Sequence, residues 1–466
     1  MQHWQVTAGE WFALVQHELL LFAAFFFILG ALDELGVDLA YLWLRLSGRA
    51  RTQTVDEAEL DDQPLAGTAA VFIPAWRESM VIGPMLGHAL AAWPQRDVRF
   101  YIGCYRNDPE TLASAMVAAR GDPRVRLVIN DAEGPTCKAD CLNRLYAALQ
   151  CDEARSGTPA RMVVMQDAED MVDPAALPLL DSAIAASDFV QIPVLALPQT
   201  GSAFIAGHYA DEFAESHAKA MVVRDALGGG IPGAGVGCAI GRDALSQLAS
   251  LSQGGGPFAV QSLTEDYELG LEIAALGMRT RFLRARTGDG RLIATRSYFP
   301  ARIEQAVRQK TRWVHGVSLQ GWDRMGWGKG LSSVWMRLRD RRGPFAALLL
   351  AIAYTLVALT ALGFAASAAG LFQPAAPSPL LWGMLWASTA AFIWRAAVRA
   401  AFTARDHGWR EGLLAVLRIP VSNIIAIMAG RRAIAAYLGT LRGAPARWDK
   451  TEHRDHPALA RQAAAA

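Results

Sequence analysis

No lysine or arginine precedes Arg45. A removable secretory leader opens on a basic segment and closes on a small-residue cleavage site, so none is expected here. Charge is scarce overall. Asp, Glu, Lys and Arg make up 19% of the 466 residues, below the roughly 25% of ordinary soluble domains. Two common phosphate cradles are missing: no Gly-x-Gly-x-x-Gly follows the first expected strand, and there is no Gly-Lys-Ser/Thr loop. A bound nucleotide must then be held by carboxylates with a metal and by basic side chains. Cysteines are few, five in all, without the paired spacing of a zinc site. Cys137 and Cys141 fall one helical turn apart, but no second pair completes a metal set. Free reduced thiols are expected, which suits a cytoplasmic domain.

What the chain has in quantity is apolar sequence, 52% of residues, concentrated before Leu46 and after Gly343. The stretch 11–32 is long enough to cross a bilayer, which takes roughly 20 helical residues. Arg45, Arg49 and Arg51 follow it, which places the start of the chain outside and the middle inside. Asp33, Glu34 and Asp38 lie just past the apolar run, either at an interfacial helix end or in a polar contact inside a helix bundle. A second span is expected over 345–371, a stiff outer turn over 374–379, and a third span from 380 to 393. The stretch 413–429 contains Arg418, Pro420 and Asn423 between basic flanks and reads as an interfacial or re-entrant helix. Residues 461–466 read as a tail.

Between 296 and 342 eleven basic residues stand against Glu304, Asp323 and Asp340. Such a block suits an anionic membrane surface or a phosphate-rich ligand. No nucleic-acid module accompanies it, so no nucleic-acid partner is expected.

In the middle of the chain strand and helix signals alternate. Strands are expected over 69–74, 98–103, 125–129 and 161–166, with helices after each. This is a doubly wound α/β sheet, whose ligands bind beyond the carboxyl ends of the strands. The acids at those ends are Glu78, Asp108, Asp131 and Glu133, and Asp167, Glu169 and Asp170. Asp167 and Glu169, one residue apart, can turn toward one hard cation, Mg²⁺ or Mn²⁺, that bridges them to a diphosphate. The alternative is a solvated loop. Thr264-Glu265-Asp266 opens a helix and is either a capped helix start or the site of a general base, Asp266. Gln309, Arg312 and Trp313 offer charge and a stacking face for a diphosphate, or else mark an amphipathic helix on the bilayer surface. The glycine-rich run 228–238 permits close backbone approach to a ligand or is a flexible loop.

The order and spacing of these pieces resemble processive family 2 glycosyltransferases such as cellulose, chitin and hyaluronan synthases. The stretches 102–111, Met165-Gln-Asp-Ala-Glu-Asp170 and Lys450-Thr-Glu-His453 resemble the bacteriophage adsorption protein B branch. The resemblance implies a GT-A-like mixed sheet with flanking transmembrane helices, and transfer of a sugar, an N-acetylhexosamine, from a UDP-sugar with inversion. It implies that Glu78 and Asp108 touch the uridine and that Lys138 and Asn143 touch the donor. Asp167 and Glu169 would hold Mg²⁺ or Mn²⁺ and the diphosphate. Asp266, with Glu265 beside it, would be catalytic, and Gln309, Arg312 and Trp313 would close on the donor's diphosphate and the acceptor end. A growing polysaccharide acceptor, the lipid bilayer of the inner membrane and an outer-membrane export partner are the further implied partners. The rivals are single transfer to a lipid carrier, or a scaffold or phage receptor with an inactive domain. Asp-Ala-Glu replaces the usual Asp-x-Asp. Longer members carry a carboxy-terminal domain that binds cyclic di-GMP. This chain ends soon after Lys450, so the resemblance does not extend to direct control by that nucleotide.

The expected organisation is an amino-terminal helix and juxtamembrane segment (1–50), an acidic linker (51–66), the transferase domain (67–300) and interfacial amphipathic helices (301–342). Two spans with one interfacial or re-entrant helix (343–440) and a tail (441–466) complete it.

Overall fold

The structure, a computed structural model, describes residues 8–50, 52–57, 64–252, 254–370, 376–444 and 455–459. The outer turn's Pro374, the motif Lys450–His453 and residues 461–466 lie outside them.

The α/β unit forms where the sequence alternates. The strands are β1 (Gln53–Val55), β2 (Ala69–Pro74), β3 (Val98–Tyr105), β4 (Val125–Asn130), β5 (Met162–Met165), β6 (Phe189–Gln191), β7 (Val194–Ala196), β8 (Cys238–Gly241), β9 (Thr280–Phe282), β10 (Ala285–Thr287) and β11 (Thr295–Ser297). Seven of them make one sheet in the order β4-β3-β2-β5-β8-β6-β9. Its first four strands are parallel, and β8 runs antiparallel to both β5 and β6. The sheet is therefore mixed. Strand β2 is apolar throughout because both faces are covered. Val71 and Ile73 pack with the helix Ile82–Ala92, and Phe72 packs with the helix Lys138–Ser156.

The direction of winding reverses between β2 and β5, since β3 and β4 lie on one side of β2 and β5 on the other. That crevice is where an open α/β sheet takes its ligand. Glu78 follows β2, and Asp167 follows β5. Asp108 follows β3, one strand further out.

The acidic linker is partly structured. β1 pairs with β10, and Glu57 forms an ion pair with Arg291.

Among the described residues three helices are long and apolar enough to cross a membrane: Glu10–Leu46, Gly343–Ala368 and Ile419–Leu441. This departs from the sequence reading at two places. The helix Pro379–His407, expected to cross over 380–393, is not among the three, because Arg395 and several tryptophans dilute its apolar run. The expected helix over 413–429 is instead two helices, Trp409–Leu417 and Ile419–Leu441, separated at Arg418. Arg418 is fully buried and pairs with Asp211 at 2.9 Å and with Glu411.

Asp33, Glu34 and Asp38 take the second of their two readings, a polar contact inside a bundle. With Glu215 they meet Lys219, Arg339, Arg342 and Arg395, four acids against four bases. Lys219 is 2% exposed. A buried lysine is tolerated only when its charge is matched nearby, so this cluster fixes the amino-terminal helix against the α/β unit.

Candidate active site

A cleft with about 170 Å³ of free space opens at the β2/β5 crevice. Its lining includes Glu78, Lys138, Asp167, Glu169, Glu265, Asp266, Gln309, Arg312 and Trp313. Residues up to 235 positions apart in sequence, Glu78 and Trp313, thus share one cavity.

Lys138 is the first residue of the helix Lys138–Ser156, which Cys137 caps through a reciprocal bond with Asp140. Its Nζ lies 2.6 Å from Asp167 Oδ1. Burial works against the ammonium charge, yet Asp167, Glu265 and Asp266 together hold its pKa above the usual lysine value. Asp167 is oriented by Asp170, whose Oδ2 accepts the Asp167 N–H at 2.7 Å. Burial, and then the charges of Asp167 and Glu169, hold the Asp170 carboxyl well above the ordinary range.

Asp266 stands in the first turn of the helix Glu265–Ala275. Its Oδ1 accepts the Tyr267 N–H at 2.9 Å. Burial raises its pKa, opposed by Lys138. Burial, then the neighbouring Asp266 charge, pushes Glu265 up to about 7. The pair therefore holds a carboxyl that exchanges its proton near neutrality, as a general base or acid requires.

The glycine-rich run wraps this acid. Gly235 has φ +80°, and a Cβ there would lie 2.6 Å from Asp266 Oδ2 and 3.3 Å from Lys138 Nζ. Only glycine satisfies both the left-handed backbone and the close approach. Gly235→Ala is expected to displace the Asp266 carboxylate and lower turnover at least tenfold. Circular dichroism of the variant should remain that of the unaltered chain, and turnover within twofold would refute this role.

Gln309, Arg312 and Trp313 come from the helix Ile303–Trp313, which continues into π-helical turns over Val314–Gln320. Trp313 is held edge-on by Tyr209, Phe213 and Phe299 at ring separations of 6.0, 6.3 and 6.4 Å. The buried Gln309 Oε1 has no hydrogen-bond partner among the described residues.

Two expected donor residues are not brought to the cleft. Asp108 accepts the Arg77 N–H at 2.6 Å and caps the helix Pro109–Ala119. It steadies the left-handed turn at Arg77, φ 53°, that carries Trp76 and Glu78. Asn143 is engaged at both ends by the backbone of Phe258, at 2.8 and 3.0 Å, because it lies more than one helical turn beyond Lys138. Both residues brace segments that reach the cleft.

Sequence reasoning passed over several residues. Trp76 and Tyr105 line the cleft as an edge-to-face pair at 5.0 Å. An aromatic directly after a strand end is the signal that was available. Gln320 accepts the Leu263 N–H at 3.0 Å and donates to Gln261 O at 2.8 Å. Arg324 pairs with the buried Glu268 at 2.8 Å. Together they tie the Thr264-Glu265-Asp266 helix to the continuation of the Trp313 helix.

The donor set fits a substrate-dependent cation. Among the described residues no group of three or more His, Cys, Asp or Glu side chains is placed to hold a metal. Asp167 and Glu169 supply two carboxylates. A hard cation here must complete its shell with phosphate oxygens and water, as Mg²⁺ commonly does.

The sequence pattern of glycosyltransferase like family 2 matches residues 66–316, more than half of the chain. The chain belongs to glycosyltransferase family 2. Bacteriophage adsorption protein B of Escherichia coli (strain K12) and bacteriophage N4 adsorption protein B of Escherichia coli O157:H7 are each 34% identical to it over 478 aligned positions. These alignments cover 94% of this chain and 62% of the relative, so the chain spans less than two thirds of the relatives' length. Among solved structures, the mannosyltransferase PcManGT from Pyrobaculum calidifontis in complex with GDP-Man and Mn²⁺ is 16% identical, with a TM-score of 0.48, covering 85% of this chain and 99% of that one. Glucosyl-3-phosphoglycerate synthase from Mycobacterium tuberculosis with Mg²⁺ and UDP is 16% identical, with a TM-score of 0.35, covering 59% and 87%. Within family 2 this chain joins a GT-A-like mixed sheet to apolar helices of membrane-spanning length.

Proposed function

We propose that this family 2 transferase moves a hexose unit, an N-acetylhexosamine, from a UDP-sugar to a growing polysaccharide at the inner face of the bacterial inner membrane. The observation that carries the reading is the single cleft shared by Asp167, Glu169, Asp266 and the Gln309–Trp313 helix turn. Trp76 and Tyr105 offer a face for the uracil, with Glu78 beside them. Asp167 and Glu169 would hold Mg²⁺ or Mn²⁺, which would supply positive charge against the diphosphate leaving group. Lys138 and Arg312 add positive charge on the same cleft. Asp266 takes the proton of an acceptor hydroxyl as that oxygen bonds to the anomeric carbon. The bond from that carbon to the phosphate oxygen breaks, and UDP leaves with the electron pair. The result is inversion. Gln309 Oε1, unpartnered and buried, suits a hydroxyl of the acceptor sugar.

The helix packing supports a membrane arrangement. Near one end of Ile419–Leu441, Ile425 packs with Tyr209, Ala306 and Val307. Near the other, the Tyr437 hydroxyl donates to Asp323 at 2.7 Å, beside Arg324 and its partner Glu268. With Ile425 against the α/β unit and Tyr437 against the helix Gly321–Met325, both ends of Ile419–Leu441 stay on the side of the α/β unit, while Asn423 donates to the Tyr354 hydroxyl of Gly343–Ala368 at 3.3 Å. The crossings are then the amino-terminal helix and the hairpin of Gly343–Ala368 with the first half of Pro379–His407. This returns Asp455–Leu459 to the side of the α/β unit. Passage of the product through these helices and on to an outer-membrane partner belongs to the same proposal.

The deciding test is purified protein in detergent with a panel of UDP-sugars and Mg²⁺ or Mn²⁺, scoring UDP release and product length. Polymer from UDP-N-acetylhexosamine is expected. A single-sugar lipid product would favour the carrier-loading rival, and no turnover with any donor would leave the scaffold reading.

Burial, opposed by Lys138, sets the pH dependence. The Lys138 charge favours the ionised forms of Glu265 and Asp266. Their base form grows as pH rises, so kcat/KM should climb as Glu265, pushed up to about 7, and Asp266, held above its ordinary value, lose their protons. Lys138→Met removes the favourable charge and should move the rising limb to higher pH by roughly one unit or more. An unshifted limb in the pH–rate profile would contradict the assignment.

A further inference from the structure

The acidic loop after β5 is gripped from four directions. Within the loop, the Asp170 carboxylate accepts the Asp167 N–H. The Arg296 backbone exchanges hydrogen bonds of 2.8 and 3.0 Å with Met171. The His88 ring bonds Val172 O at 2.9 Å. The fourth grip comes from 286 residues further along the chain. His456, 1% exposed, places Nε2 3.0 Å from the carbonyl oxygen of Asp170.

The tautomer follows from the other ring nitrogen. The Ala458 N–H donates to His456 Nδ1 at 3.1 Å, so Nδ1 is the acceptor and Nε2 carries the proton that Asp170 O accepts. The Leu459 N–H closes the turn on His456 O at 3.1 Å, and Pro457 and Ala458 are buried with it. The first three grips lie within the α/β unit. The fourth is supplied from beyond the helix Ile419–Leu441.

The loop needs such a grip. It carries Asp167, Glu169 and Asp170 within four residues, and like charges this close repel one another. Two of these carboxylates must converge on one cation, against that repulsion. A carbonyl pinned from behind leaves the side chains in front less freedom to splay.

We propose that His456 is a positioning residue for the metal-binding loop. By holding the Asp170 carbonyl it sets Asp167 and Glu169 in the orientation that receives the cation. Asp455–Leu459 acts as a strap through which the far end of the chain governs affinity for the metal–diphosphate. The ligand in this inference rests on the proposed function, whereas the strap itself does not.

The test uses the full chain in detergent beside His456→Ala, His456→Gln and a chain ending after Ala444. Hydrogen–deuterium exchange without ligand is read over residues 165–173. Exchange there is expected to be several-fold faster in His456→Ala and in the shortened chain. His456→Gln, whose side-chain N–H reaches for the same carbonyl, should stay near the unaltered rate. Calorimetric titration with UDP and Mn²⁺ should show affinity weaker by roughly three- to tenfold in His456→Ala, the scale of one net hydrogen bond. Should His456→Ala not fold, the shortened chain and His456→Gln make the same comparison. Unchanged exchange in the loop overturns the strap, whatever the enzyme does. Faster exchange with unchanged UDP–Mn²⁺ affinity overturns the positioning role. No UDP–Mn²⁺ binding by the unaltered chain overturns the proposed function and the affinity effect with it, while the exchange data still decide whether the strap holds the loop.

Discussion

Replacing Asp266 with asparagine is expected to cut sugar transfer by roughly 10²- to 10⁴-fold, the range associated with loss of a positioned general base. The substitution is nearly isosteric. Asparagine keeps an oxygen to accept the Tyr267 N–H and fits the same space against Gly235. What it loses is the ability to take a proton. UDP and Mn²⁺ should bind as before, because the proposed cation ligands Asp167 and Glu169 are left intact. The expected signature is thus a collapse of kcat with the UDP–Mn²⁺ dissociation constant within about twofold. A variant that retains a third of the rate would remove Asp266 from the mechanism. Equal loss from Glu265→Gln with a normal Asp266→Asn would move the base one residue back.

The second large effect is structural. Arg418 is fully buried, donates Nε to Ala203 O at 2.6 Å and pairs with Asp211 at 2.9 Å, itself fully buried. Arg399 stands 3.6 Å from the other Asp211 oxygen. Removing one member of a buried pair leaves a charge in a low-dielectric interior, at about 3–5 kcal/mol. Arg418→Met is therefore expected to lower the melting temperature by roughly 3–5 °C and to loosen the helices Trp409–Leu417 and Ile419–Leu441. Burial of the pair with no charge at all is far less costly. The double variant Arg418→Met, Asp211→Leu should regain part of the loss, since Glu411 and Arg399 still each lack a former partner. If the double variant melts as low as the single one, Arg418 acts through packing and not through its charge.

The α/β alternation was legible because it depends on local periodicity. The expected strands over 69–74, 98–103, 125–129 and 161–166 match β2 to β5 within two residues. The antiparallel β8 and the short β6, β7 and β9 were not read, since three or four residues carry too little pattern to separate a strand from a loop. Among the site residues, those directly after β2 and β5 were placed by the rule for open sheets. Asp108 and Asn143 were attached to the donor by resemblance, and the structure engages both in backbone hydrogen bonds. A motif names residue types. Which way each side chain turns depends on partners that the motif does not contain.

The helices past Gly343 show the same limit. Hydropathy by itself ranks Ile419–Leu441 above Pro379–His407 as a crossing. The ties of Ile425 and Tyr437 to the α/β unit concern contacts over more than a hundred residues, which a sliding window cannot contain.

The sequence by itself determined that an α/β sheet would form, which strand ends would carry acids, and that apolar helices would flank it. All three follow from neighbours along the chain. Only the tertiary structure decided that Lys138 sits between Asp167 and Asp266, that Asp33, Glu34 and Asp38 are neutralised by Lys219 and three arginines, and that His456 reaches the acidic loop. Those pairings are set by where the whole chain can bury charge with a partner, a condition that exists only once distant segments have met.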